Sequence, residues 1–191
     1  MSRFNRDTAG RLTVGGLRLD EIAATHGTPL YVYSGDGIRE DYDNFAAAVA
    51  PVDGTVHFAL KANSAIGVMA LLARQGAGAD IVSGGEMQRA LVAGVPAAKI
   101  VFSGVGKSAG EIGAALDAKI GQINAESTAE VEAISAIAAA RGVTAPVALR
   151  VNVDVDPKTH AKISTGQRST KFGVSTAQNE AADLYLSLIH I

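Results

Sequence analysis

The chain contains no cysteine, which excludes a disulfide framework and any thiolate metal site, and leaves nothing that points to an oxidising compartment. It also lacks an excess of positive charge: 17 Lys and Arg stand against 19 Asp and Glu, a formal net charge of -2. The electrostatic footprint on which non-specific nucleic-acid binding relies is therefore missing, and no nucleic-acid partner is expected. Long apolar runs are absent as well. The first residues, Met1 to Asp7, are charged and carry no apolar secretory core, and no later run approaches the roughly 18 residues needed to span a bilayer. A cytoplasmic protein with no membrane partner is expected.

What the chain has is apolar material, 48% of its 191 residues against 19% charged, enough for a packed core. That material is patterned. Short strand-like runs (55–60, 79–83, 99–103, 121–125 and 146–151) alternate with Ala-rich stretches of helical character: Ala65 to Gln75, Gly85 to Ala93, Ser108 to Asp117 and Thr128 to Arg141. The last places Val131, Ile134, Ile137 and Ala138 at helical spacing, with Gly142 as C-cap. Strand, helix, strand at this spacing describes parallel strands joined by crossover helices, so a doubly wound sheet and a (β/α)8 barrel both remain open. Only about five βα units fit, whereas a closed barrel takes roughly 250 residues. Ahead of them, Arg11 to Leu17 reads as a hairpin about Gly15-Gly16, and Pro29 to Tyr33 as one more strand.

Several motifs carry chemistry. Lys61 closes the apolar run Phe58-Ala59-Leu60, at the strand end where parallel α/β folds bind ligands. A lysine whose stem lies in an apolar mouth has its ammonium disfavoured by desolvation, and the neutral amine is what attacks an aldehyde. A solvated lysine at a strand end satisfies the same heptapeptide. Asp80, inside the next strand-like run, needs a partner if buried, and Lys61 on the neighbouring strand can supply one. Glu86 sits in the first turn of the following helix, where the dipole favours an acid whatever its function. Gly104-Val105-Gly106-Lys107-Ser108 ends like a phosphate loop, but Val101 stands where that loop requires glycine. Gly76-Ala77-Gly78 fails the dinucleotide fingerprint at Ile81 in the same way. The Asp154 to His160 loop has neither the glycine nor the glutamate of a calcium loop, and no metal site is expected.

Taken in order, six blocks resemble the diaminopimelate decarboxylase family. They are His57-Phe58-Ala59-Leu60-Lys61-Ala62-Asn63, Gly78 to Glu86, Lys99 to Lys107, Asn124-Ala125-Glu126-Ser127, Leu149-Arg150-Val151-Asn152, and Thr159 to Gly166 followed by Lys171-Phe172-Gly173. The resemblance runs from residue 10 to residue 185. It implies an α/β fold: the N-terminal part of an alanine-racemase-like TIM barrel that binds pyridoxal 5'-phosphate, ending after about five βα units and preceded by short β elements. On this reading residues 1–34 form a β segment that packs with a further β domain, and residues 35–185 belong to the barrel. Lys61 matches the internal-aldimine lysine. Asp80 and Arg150 match family positions lining the barrel mouth near the cofactor, and His160, with Ser164 to Gly166, matches the loop before the next helix; Asp80, Arg150 and His160 join Lys61 in the implied cofactor-binding set.

The activity implied is conversion of the amino acid meso-2,6-diaminopimelate to L-lysine and carbon dioxide, by an enzyme that is usually a homodimer. Other decarboxylases on this barrel, acting on ornithine, arginine or carboxynorspermidine, and a non-catalytic pyridoxal-phosphate carrier are the alternatives. The family's ring-stacking histidine, glycine-rich phosphate loop, pyridine-facing glutamate and cysteine-containing substrate segment are expected beyond residue 191, which would leave this piece inactive alone. Residues 186–191, Leu-Ser-Leu-Ile-His-Ile, depart from the family pattern and match a translated sequencing-library adapter, so a non-native tail is expected there.

Overall fold

The computed structural model describes residues 3–154, 172–175 and 180–188. Its chain begins with a small antiparallel sheet of β1 (Phe4–Arg6), β2 (Leu12–Val14) and β3 (Leu17–Arg18). Gly15 and Gly16 both take positive φ, 54° and 79°, the two-residue turn whose twist matches paired strands, and it sets the register Thr13↔Arg18 and Val14↔Leu17. The expected hairpin is thus present, with β1 added to it.

Two helices follow that the pattern of apolar residues did not announce, α1 (Leu19–His26) and α2 (Gly35–Val49). Between them, Pro29 to Tyr33 forms no strand. A strand exists only where its N–H and C=O groups find a ladder; this segment pairs with none, and Tyr31 is 88% exposed. Helix α2 starts at Gly35, capped by the Ser34 side chain, which accepts from the Gly37 N–H at 3.1 Å.

From there the alternation read in the sequence becomes structure. Strands β4 (His57–Ala59), β5 (Gly78–Ile81), β6 (Ile100–Phe102), β7 (Gln122–Ala125) and β8 (Val147–Leu149) alternate with helices α3 (Ile66–Arg74), α4 (Gly84–Val92), α5 (Ala109–Asp117) and α6 (Thr128–Arg141). All neighbouring strands are parallel, in the order β4-β5-β6-β7-β8. This order settles the architecture that spacing left open. A doubly wound sheet reverses its strand order at a switch point; here each crossover places the next strand on the same side, as in a barrel wall. The chain then bends at Arg150 into β9 (Val151–Asn152), which pairs in parallel with β10 (Val174–Ser175), ahead of α7 (Glu180–Ser187). These two strands form a separate two-stranded sheet after the five parallel strands that were expected. Helix α7 runs on through Leu186 and Ser187, and Leu188 packs on the core.

Alternation along the strands gives the sheet two different faces. Ala79, Ile81, Ile100, Phe102, Ile123 and Ala125 have no exposed surface, packed under Met69, Met87, Ile112 and Ile134 of the helices. The other face carries His57, Ala59, Gly78, Asp80, Val101, Gln122, Asn124 and Ala148, brought side by side by the register. Gly78 has to be glycine: a β carbon there would stand 2.5 Å from both His57 Nδ1 and the Lys99 carbonyl oxygen. Among the described residues no helix is long and apolar enough to cross a membrane.

Candidate active site at the carboxyl end of the sheet

Lys61 lies where β4 gives way to one turn of 3-10 helix, Leu60–Ala62. Leu60 is fully buried and anchors this turn from below. Beyond it, the Asn63 side chain accepts from the Ala65 N–H at 3.0 Å, and Arg89 of α4 donates to the Ser64 carbonyl at 3.1 Å. The loop is thereby fixed to the neighbouring unit, while the Lys61 side chain is exposed and makes no hydrogen bond or ion pair with any described residue. The apolar enclosure expected around its stem is not formed among the described residues, where β4 is an outer strand of the sheet.

Asp80 sits on the adjacent strand as expected, paired with Ala59 two residues before Lys61. It does not pair with Lys61. No ion pair within 4.0 Å joins them; the carboxylate instead accepts from the Ser103 hydroxyl at 2.6 Å. Ser103 is a closer fit because it directly follows β6, the next strand over, and its backbone N–H is held on the Ile81 carbonyl at 2.7 Å.

Arg150 occupies the bend between β8 and β9. Its backbone N–H donates to the Ala125 carbonyl at 2.9 Å, and its carbonyl accepts from the Val174 N–H at 2.8 Å. Its guanidinium contacts both oxygens of Glu126, at 3.0 and 3.2 Å, and lies 5.0 Å from the centre of the Phe172 ring. His160 and Ser164 to Gly166 lie outside the described residues.

The groups that tie this end together went largely unread. Glu126, the buried acid among the described residues, also accepts from the Gly104 N–H at 3.1 Å and the Gly173 N–H at 3.2 Å. Lys107, the lysine of the phosphate-loop lookalike, has a side chain with no exposed surface. Its Nζ donates to the carbonyls of Gly104 (2.6 Å) and Asn124 (2.7 Å) and to Glu130 (3.1 Å). All three hydrogens of the ammonium are spent inside the protein, leaving none for a phosphate.

Three Ser-x-x-Glu repeats, at Ser83, Ser108 and Ser127, were the signal that could have found this arrangement. Each serine caps the helix that follows. Glu86 takes the Val82 N–H at 2.7 Å and Glu130 the Glu126 N–H at 2.8 Å. Glu111 reaches back to the preceding loop, accepting from the Gly84 N–H at 2.7 Å. That bond, with those from the Ser108 N–H and hydroxyl, holds the Glu111 carboxyl below the usual carboxylate range against the opposing effect of burial.

The donor set fits an aldehyde-bearing, anionic cofactor. It offers a primary amine with no partner among the described residues, a carboxylate one strand away, and a guanidinium on the same end of the sheet. Comparison with known proteins agrees. A family model described as pyridoxal-dependent decarboxylase, pyridoxal binding domain, matches residues 36–190. Diaminopimelate decarboxylase of Zymomonas mobilis is 48% identical over 185 residues, covering 94% of this chain and 43% of that protein. Among solved structures, diaminopimelate decarboxylase from M. jannaschii in complex with L-lysine superposes with a TM-score of 0.89 at 37% identity, over 98% of this chain and 44% of that one. The Helicobacter pylori enzyme complexed with L-lysine gives 0.84 at 44% identity, over 88% and 42%. The chain thus spans less than half the length of the relatives it matches.

Proposed function

Because the chain belongs to the pyridoxal-dependent decarboxylases, matched through their pyridoxal-binding domain, we propose that the whole protein converts meso-2,6-diaminopimelate to L-lysine and carbon dioxide. The cofactor is pyridoxal 5'-phosphate. When bound, it supplies the electron sink that loss of carbon dioxide requires. The observation that carries the proposal is the amine of Lys61 at the carboxyl end of β4, without a partner among the described residues, in a chain 48% identical to a diaminopimelate decarboxylase.

In this reading each residue has a task. Lys61 offers the nucleophilic amine, and the loop it stands on is held by Arg89 and Asn63 so that the amine is presented at a fixed point. Asp80 sets a negative charge one strand away. Arg150, steered by Glu126, sets a positive one at the far side of the same sheet end. His160 completes the cofactor set on the strength of the resemblance. Residues 1–34 serve as a segment that packs on a further β domain, a role supported by the exposed Leu30, Tyr31 and Tyr33. A homodimer and a cytoplasmic setting complete the proposal by the same resemblance.

The test is to assay full-length protein, supplied with pyridoxal phosphate, for lysine and carbon dioxide released from meso-diaminopimelate, beside ornithine and arginine. Lysine from diaminopimelate supports the proposal. Turnover of ornithine or arginine alone assigns another decarboxylase of this barrel, and cofactor binding without turnover of any of them assigns a carrier.

A further inference from the structure

The inner face of a barrel sheet is ordinarily filled by branched apolar side chains. Here part of it is polar, and the polar groups are wired together. Gln122 Nε2 donates to Asn124 Oδ1 at 2.7 Å, Asn124 Nδ2 donates to Ser103 Oγ at 3.0 Å, and Ser103 Oγ donates to Asp80 Oδ1 at 2.6 Å. The chain of bonds crosses from β7 through the end of β6 to β5 and stops at the carboxylate.

Its direction is forced by chemistry. A hydroxyl has one hydrogen and a carboxylate has none to give, so Ser103 must donate to Asp80 and can only accept from its other neighbour. Asn124 must then turn its amide NH2 toward Ser103, which leaves its carbonyl oxygen for Gln122, and Gln122 must present its own NH2. Every donor in the row points toward Asp80. Half-buried polar side chains that satisfy one another in this way are rigid, since rotating Ser103 or Asn124 breaks two bonds at once. One consequence is specific: Asp80 Oδ1 is occupied, whereas Oδ2 takes no hydrogen bond from any described residue.

We propose that Ser103, Asn124 and Gln122 are positioning residues that fix the Asp80 carboxylate so that its free oxygen faces the bound pyridoxal phosphate. The proposal rests on the assignment of Lys61 as the cofactor lysine. It concerns how the site is oriented, and none of the three residues needs to touch the cofactor.

The test uses full-length protein stripped of cofactor and reloaded. Its readouts are the dissociation constant for pyridoxal phosphate, the visible circular dichroism of the bound cofactor, and the melting temperature of the cofactor-free protein. Ser103→Ala should weaken cofactor binding by roughly 10-fold, the scale of one charge-assisted hydrogen bond, and change the dichroic band. Ser103→Thr, which keeps the hydroxyl, should restore both. Asn124→Ala should act in the same direction as Ser103→Ala, by less. In an Asp80→Ala background, Ser103→Ala should change affinity by less than about 2-fold, because the group it positions is gone.

Normal affinity and dichroism in Ser103→Ala would overturn the proposal. So would an equal loss in both backgrounds, which would mean that the serine acts through packing alone. Wild-type protein that binds no pyridoxal phosphate would instead remove the cofactor assignment on which the proposal stands.

Discussion

Arg150 Nη1 lies 3.0 and 3.2 Å from the two oxygens of Glu126, a carboxylate only 3% exposed, while the arginine side chain keeps 37% of its surface in solvent. The two residues meet across the ends of β7 and β8, and the same carboxylate holds the backbone of two other loops at Gly104 and Gly173. Glu126→Ala should therefore cost about 3 kcal/mol, toward the lower end of the range for breaking a buried pair because the arginine can still hydrate. Glu126→Gln should cost less, roughly 2 kcal/mol, since one oxygen survives as an acceptor while the new NH2 faces existing donors. Chemical denaturation of the full-length protein measures both, and a Glu126→Ala change within 0.5 kcal/mol would sink the claim that this acid organises the loops.

Lys107 carries the complementary prediction. Lys107→Met keeps the length and the packing on Phe102 but leaves two carbonyls and Glu130 without their donor. A loss of about 3 kcal/mol is expected, with no selective effect on phosphate-containing ligands. Weaker binding of pyridoxal phosphate without a drop in melting temperature would mean that the lysine serves a ligand after all.

Glu111 makes stability depend on pH. Its carboxyl is held low chiefly by the Gly84 N–H, then by the Ser108 N–H and hydroxyl. A folded value below the unfolded one means that the ionised form stabilises the fold at neutral pH, and that this contribution fades as pH falls through the ordinary glutamate range and below. Glu111→Gln should accordingly lower the melting temperature at pH 7 and converge with the wild type in acid. A difference between the two proteins that stayed constant down to acid denaturation would contradict this.

At Lys61 the expected outcome is chemical. After borohydride reduction of cofactor-loaded full-length protein, peptide mapping should find the pyridoxyl group on the segment containing Lys61. Lys61→Ala should lose both that label and the decarboxylation. Retention of the label in the variant would place the carrier elsewhere.

Much of the frame was legible because it rests on periodicity. Thr128 to Arg141 is a helix with the bounds read from the sequence, and Gly142 closes it at a φ of 64°. Helix α2 escaped notice because its first half is dominated by charged residues and only Ile38 and Tyr42 of it, one turn apart, pack against the core among the described residues. Within the site, Lys61 and Asp80 could be placed on adjacent strand ends by counting units. Their partners could not, because Asp80's choice of Ser103 over Lys61 depends on which side chain has the shorter reach across a parallel ladder. Glu126 and Lys107 were hidden for a different reason: a buried ion network is made of residues whose individual positions look like ordinary loop charges.

The glutamate latches have a temporal side. Gly84 is held by Glu111, 27 positions later, Gly104 by Glu126, 22 later, and Lys107 by Glu130, 23 later. In these three latches a loop at the ligand-binding end gains an acceptor from the unit that follows it in the chain. During synthesis from the N-terminus, a strand and its helix would emerge and pack while their loop still waited one further repeat for its acceptor. The wall of the sheet is in this sense built ahead of its rim, and the rim sets in steps, each trailing the growing chain by one unit.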